Sequence, residues 1–256
     1  MEKNLRQAVE REELELHYQP IVSLNGGHVT CFEALLRWRH PQGYRVFPSV
    51  FVPVAERNQL IDVIGEWVIR KACKQSLVWR NEGFDDVRVS INLSSRQFHS
   101  PNLIHTIQES LADADLAADC LELEITESTA AHDAEFAVSI LSEFKRMGVR
   151  LAIDDFGTGY SSLSYLKQFP IDILKIDQSF VKDIPDDADD AAIAKSIIAI
   201  AHSLDLKVVA EGVETEEQLK FLRAQQCDEI QGHIFSHALP VEEVVELLKN
   251  KHSLAR

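Results

Sequence analysis

Two adjacent aspartates, Asp154 and Asp155, end the apolar run "LAIDD" and open the loop "FGTGYSSL". Asn92, Glu124, Lys175 and Glu211 lie near the C-terminal ends of other β-like runs, and Glu33 sits in a further one. Gathered at one place, these five carboxylates would carry far more negative charge than Lys175 could offset. Buried carboxylates left uncompensated either protonate or destabilise a fold. Divalent cations resolve the conflict. A donor set made only of oxygens, with Asn92 as its neutral member, suits hard ions such as Mg²⁺ or Mn²⁺. The ten histidines are scattered with no HExxH spacing, so a zinc centre is not expected. Adjacent aspartates can bridge two ions, and two-metal sites with ions ~3.5–4 Å apart serve in-line attack on phosphate esters. Lys175 could orient the nucleophilic water or simply neutralise a neighbouring carboxylate.

These residues need a frame. Short β-like runs occur at 14–24, 28–38, 87–93, 120–126, 149–155, 171–177, 206–212 and 228–235. Helical patterns fall at 60–79, 102–112, 133–146, 161–167, 189–203, 215–225 and 241–249. The alternation predicts a parallel sheet flanked by helices, and the number of strands favours a closed (β/α) barrel over an open sheet. An Asn-Gly-Gly turn joins the first two runs as a hairpin, which could place one strand antiparallel. Alternation along each strand puts Asn92, Glu124, Asp154, Lys175 and Glu211 on the face opposite the continuous apolar one. Helices would cover the apolar face, so the polar face points into the lumen, at the strand ends where barrel enzymes build their sites. Scattered, independently paired core ions are the competing account; the repeat of one parity on strand after strand argues against it. Asp155 has the outward parity, and a turn at the glycine loop would bring it back to the rim.

The chain of 256 residues is 45% hydrophobic, enough for a large core, and no linker-like stretch divides it, so residues 1–256 read as a single domain. A formal charge of -15 and the lack of a basic stripe exclude an extended groove for polymeric nucleic acid. Cys31, Cys73, Cys120 and Cys227 are widely spaced and read as thiols of a reducing compartment. The opening "MEKNLRQAVEREELEL" has no apolar leader core, and no run approaches the ~20 residues of a membrane span, so a soluble, cytoplasmic protein is expected. The chain could be one domain of a longer protein.

Seven motifs now stand in order: "EALLRW" (33–38), "NLS" (92–94), "EITE" (124–127), "DDFGTGYSSL" (154–163), "KID" (175–177), "EGVET" (211–215) and "QGHIF" (231–235). In that order they resemble the EAL-domain proteins, a family of cyclic-di-GMP phosphodiesterases and of inactive relatives that only bind the nucleotide. The resemblance implies a TIM-like (β/α)8 barrel with an antiparallel first strand. It implies hydrolysis of one phosphodiester bond of cyclic-di-GMP to linear 5′-pGpG, using Mg²⁺ or Mn²⁺, with two ions. By the same resemblance, Glu33, Asn92, Glu124 and Asp154 would ligate the first metal, and Asp154 with Asp155 the second. Lys175 would hold the attacking water, and Glu211 would be a metal-site or general-base residue. Gln231 would close the site beside the waters, and Gln19 and Arg37 would touch substrate. Glu127 would anchor the "DFGTGYSSL" loop, which in the family couples dimerisation to metal binding. A homodimer, and fusion to sensor or cyclase domains, follow as family expectations.

Some positions depart from the family pattern. The closing motif reads "QGHIFSHALP", with His233, His237 and Ala238 at positions expected on the rim. They bear on affinity or fine specificity more than on chemistry. The acidic run "IPDDADDAA" (184–192) reads as a solvated helix start with aspartate caps. Glu214 could brace the loop, and Asp177 could pair with Lys175 in the lumen. A receptor that binds the nucleotide without cutting it is the alternative to an enzyme. Such receptors typically lose a metal carboxylate or the loop motif, and this chain keeps both.

Overall fold

Gly26 and Gly27 turn the chain through φ values of +120° and +72°, which side chains resist, and so close the first hairpin. The computed structural model describes residues 2–8, 10–159 and 163–250. Its strands are β1 (Leu14–Ser23), β2 (Val29–Arg39), β3 (Arg45–Val46), β4 (Arg88–Leu93), β5 (Leu121–Thr126), β6 (Arg150–Phe156), β7 (Ile173–Ile176), β8 (Lys207–Ala210) and β9 (Glu229–Gln231). The helices are α1 (Glu2–Ala8), α2 (Pro48–Arg57), α3 (Leu60–Asn81), α4 (Ser95–Phe98), α5 (Leu103–Asp113), α6 (Glu127–His132), α7 (Ala134–Met147), α8 (Leu163–Leu166), α9 (Ala188–Ser203), α10 (Glu216–Ala224) and α11 (Val241–Lys249).

The sheet runs β1-β9-β8-β7-β6-β5-β4-β2, and β1 pairs with β2 to close it; β3 is a short appendage on β2. β1 is antiparallel to both its barrel neighbours, and every other barrel pairing is parallel. This is the TIM-like barrel with a reversed first strand. The outward faces bury Val89, Ile91, Leu121, Leu123, Leu151, Ile153, Leu174, Ile176 and Val208 under the helices in one continuous core. A smaller core of Leu5, Leu14, Trp38, Phe51 and Ile64 lies beneath α1, α2 and α3.

The lumen is layered. Ile21, Cys31, Ala152, Ile173 and Val209 form a buried apolar band. One residue pair further along the strands, Gln19 stands opposite Glu33 and Lys175 opposite Val209, so the polar residues cluster toward the C-terminal rim. Short β3, α4 and α6 were not among the expected runs, and three other elements also differ from the sequence reading. Helix α2 was not among the expected helices; Pro48 occupies its first turn, where it is tolerated. The last strand ends at Gln231, well short of 235, because residues 232–239 leave the barrel to cross its rim. Of the short helix expected at 161–167, Leu163–Leu166 is helical, and residues 161 and 162 lie outside the described residues.

Candidate active site

Lys175 is the pivot. It sits on β7 with its side chain fully buried, an expensive place for an ammonium unless anions surround it. Its Nζ lies 2.6 Å from Glu211 Oε1, 2.7 Å from Glu124 Oε2, 3.6 Å from Asp154 Oδ1 and 3.8 Å from Glu33 Oε2. Burial works against its charge, but Asp154, Glu124, Glu211 and Glu33 hold its pKa well above the usual lysine value.

One cation cannot satisfy four carboxylates. Burial pushes the Glu124 carboxyl well up despite Lys175, and Glu211, for the same reason, is pushed up to about 8. Glu33 goes the other way. Its burial is overcome by Lys175 and by hydrogen bonds from Gln231 and Asn92, so its pKa lies below the usual carboxylate range. Those bonds run from Asn92 Nδ2 to Glu33 Oε1 and from Gln231 Nε2 to Glu33 Oε2, each 2.5 Å. Gln231 Nε2 also reaches Gln19 Oε1 at 3.4 Å, and Gln19 Nε2 donates to the carbonyl of Ser236 at 3.4 Å.

Asp155 reaches the rim by a route the sequence did not suggest. β6 continues to Phe156, so the turn at Gly157 comes after Asp155 and is not what re-aims it. Asp155 itself adopts a left-handed backbone, φ 53°, and the β6–β7 register shifts between Ile153 and Phe156. This bulge re-aims its side chain. Its carboxylate lies with those of Asp154 and Glu211, all within 4.8 Å of one another. Burial and then Asp154 push the Asp155 carboxyl up to about 6.

The loop behind is tied to Glu127, at the start of α6. Its Oε2 accepts from the backbone N–H of Gly157 at 2.8 Å and of Gly159 at 3.3 Å. A Cβ on Gly159 would stand only 3.1 Å from that carboxylate, so the glycine permits the approach. Tyr160, Ser161 and Ser162 of the same motif lie outside the described residues.

A cavity of about 230 Å³ opens above the cluster, lined by Gln19, Glu33, Leu35, Asp154, Gln178, Glu211 and the rim residues 212, 214 and 231–233. The structure thus brings together Gln19, Glu33, Asn92, Glu124, Asp154, Asp155, Lys175, Glu211 and Gln231. Arg37 lies further along the Glu33 face of β2, half-buried, and outside the residues that line the cavity. Its Nη1 donates to the Leu36 carbonyl at 3.0 Å. Asp177 is not a partner of Lys175. It caps the turn at Gln178–Phe180 by accepting from the backbone N–H and hydroxyl of Ser179. Leu35 and Gln178 line the cavity without having been expected, because neither type signals chemistry. Asp187 caps α9 through the N–H groups of Asp189 and Asp190, as the acidic run suggested.

The residues present fit divalent cations. Five carboxylates face one ammonium, and Glu124 Oε1 and Gln231 Oε1 are buried without a hydrogen-bond partner. Buried polar atoms rarely stay unpaired without a function.

A closed barrel whose C-terminal rim gathers acidic oxygens around a buried lysine places the chain among the (β/α) barrels that do their chemistry at that rim. Within that class the chain belongs to the EAL-domain family, whose profile matches residues 2–238. It is 45% identical over 249 residues to the cyclic di-GMP phosphodiesterase NbdA of Pseudomonas aeruginosa, covering 97% of this chain and 32% of that protein. It is 46% identical over 242 residues to the bifunctional diguanylate cyclase/cyclic di-GMP phosphodiesterase MucR of the same organism, covering 94% of this chain and 35% of that one. The chain therefore spans about a third of the length of these relatives. The solved PaMucR phosphodiesterase in complex with c-di-GMP superposes with a TM-score of 0.92 at 46% identity, covering 94% of this chain and 98% of that one.

Proposed function

We propose that this domain hydrolyses one phosphodiester bond of cyclic-di-GMP to linear 5′-pGpG, with two Mg²⁺ or Mn²⁺ ions as cofactors. The observation that carries this reading is the unmatched negative charge around Lys175, combined with the kinship to cyclic di-GMP phosphodiesterases. Glu33, Asn92, Glu124 and Asp154 would hold one ion, and Asp154 with Asp155 the other, with Glu211 beside them. Bound there, such ions lower the pKa of a water and offset charge on the phosphate oxygens. Lys175 Nζ, directed by Glu124 and Glu211, would donate a hydrogen bond to the attacking water oxygen. Glu211, beside Lys175, would accept that water's proton or help hold an ion. The water oxygen would attack phosphorus as the P–O3′ bond breaks, the departing 3′-oxygen would take up a proton to become a hydroxyl, and the phosphate would remain on the 5′ side. Gln231 and Gln19 would close the cavity over the phosphate, Arg37 would meet the substrate where it emerges from the cavity, and Glu127 would hold the loop that positions Asp155. A homodimer and a longer parent protein belong to the same proposal.

The full complement of metal carboxylates favours an enzyme over a receptor. The test is incubation of purified protein with cyclic-di-GMP and Mg²⁺ or Mn²⁺, with products resolved by anion-exchange chromatography. Conversion to pGpG is expected, and Glu33→Ala should abolish it. Tight binding without turnover under both metals would replace the enzyme by a receptor, and a wild-type rate in Glu33→Ala would remove that residue as a ligand.

A further inference from the structure

The rim segment after β9 is pinned so closely that its side chains are placed by backbone alone. Gly232 lies against Val213: a Cβ there would stand 2.0 Å from the Val213 carbonyl oxygen. Val213 N donates to Gln231 O at 3.1 Å, and Ile234 N donates back to Val213 O at 3.0 Å. At its far end the segment pairs with β1, through Tyr18 N to Leu239 O at 2.7 Å and Leu239 N to Tyr18 O at 2.9 Å. This clamp sets His233 beside Glu214 on the cavity wall.

Glu214 Oε1 lies 3.2 Å from His233 Nδ1, which fixes the rotation of the imidazole. The His237 ring packs behind it with centroids 3.9 Å apart and planes inclined at 42°. The His233 side chain keeps 50% of its surface exposed, so one face of a held ring is open. Every other described residue that lines the cavity is acidic, an amide, a glycine or Leu35. Those groups suit cations, ribose hydroxyls and the hydrogen-bonding edge of a base; none offers a flat ring for a base to stack on. A cyclic dinucleotide carries two purines, and a carboxylate gives neither of them a face to stack on.

We propose that His233, held by Glu214 and backed by His237, is the stacking face for one guanine of the dinucleotide and so sets affinity at this rim. The inference rests on the reading of the site as a cyclic-di-GMP phosphodiesterase and adds a specificity-determining residue to it. Base stacking on an aromatic ring is sequence-tolerant and is lost when the ring is removed.

Steady-state kinetics with cyclic-di-GMP test it. His233→Ala should raise KM about tenfold, the size of one lost base stack, and leave kcat within about twofold. His233→Phe should restore KM, and His237→Ala, which leaves the ring unbacked, should raise it by about threefold. A cyclic dinucleotide carrying 2-aminopurine should lose fluorescence on stopped-flow mixing with wild type and with His233→Phe, but not with His233→Ala. If His233→Ala melts early, His233→Gln, which keeps a donor to Glu214 without a ring, takes its place. An unchanged KM, a loss confined to kcat, or full quenching without the ring would overturn the proposal while wild-type turnover leaves the phosphodiesterase reading standing. No turnover and no binding by wild type would overturn both.

Discussion

Replacing Lys175 by methionine isolates the central electrostatic claim. The side chain keeps its length and loses its charge, leaving Glu33, Glu124, Asp154 and Glu211, each now within 3.8 Å of Nζ, with no cation among them. Breaking a buried ion pair by removing one partner costs ~3–5 kcal/mol, because the remaining charge stays buried. For a chain of this size about 1 kcal/mol corresponds to ~2–4 °C in Tm, so the metal-free variant should melt ~6–20 °C below wild type at pH 8. The loss should shrink on acidification. Glu124 and Glu211 already have raised pKa values, and without the ammonium they rise further. A carboxyl raised in the folded state binds more protons there than in the unfolded chain. Stability therefore falls as pH rises from the ordinary carboxylate range through the raised value, and the deficit at pH 5.5 should be well below that at pH 8. Mn²⁺ should stabilise both proteins, by ~2.7 kcal/mol at a hundredfold excess over Kd, and the more negative variant should gain more. Turnover should fall about a hundredfold or more even with metal bound. The assay is scanning fluorimetry in EDTA and in Mn²⁺ at both pH values, beside a turnover measurement. A variant that melts within about 2 °C of wild type in EDTA at pH 8, or gains less from Mn²⁺ than wild type does, would refute the charge argument.

Two further outcomes follow from the same geometry. Metal binding should release protons between about pH 6 and 8, because Asp155 and Glu211 hold protons up to about 6 and 8 in the metal-free site; apparent Mg²⁺ affinity then rises with pH across that window, and calorimetric heats independent of buffer ionisation enthalpy would count against it. Gly232→Ala should displace the rim strap, since its Cβ would sit 2.0 Å from a backbone oxygen; a raised KM with a loss of ~1–3 kcal/mol in stability is expected, and wild-type values for both would mean that the Val213 contact is dispensable.

Much of the site could be read from parity. Asn92, Glu124, Asp154, Lys175 and Glu211 share the inward face because a strand alternates with period two, and the ladder partners Asn92–Glu124 and Thr126–Asp154 keep that register across strands. What could not be read were the places where the backbone breaks its own rule. Asp155 carries the outward parity and reaches the rim only through a left-handed residue within a bulge; aspartate tolerates positive φ better than most residues, but parity alone gives no sign of where such a residue falls. The run through 235 looked like one strand because "DEIQGHIF" keeps its apolar character, yet Gly232 marks a close approach of two backbones and the segment turns across the rim. Asp177 follows Lys175 by two residues and shares its parity, but β7 ends at Ile176, so its side chain is free to cap the next turn.

Parity alone would also have put a site at the wrong end of the barrel, and charge balance decides between them. Beyond the apolar band of Ile21, Cys31, Ala152, Ile173 and Val209, the lumen holds a second buried ionic group. There Glu122 lies 3.4 Å from Arg88, and Glu229 lies 3.7 Å from Arg88 and 3.4 Å from Lys207. Arg150 stands opposite Glu122 in the ladder. Three cations meet two carboxylates, so that group is compensated by the chain's own residues and has no call for a metal ion. At the C-terminal rim five carboxylates meet one lysine. Both groups are buried, carboxylate-rich and drawn from several strands; only the second is short of positive charge. The shortfall, and not the presence of acidic residues, is what an incoming dication and the phosphates that follow it would satisfy, and the apolar band keeps the arginines of the far end from answering it first.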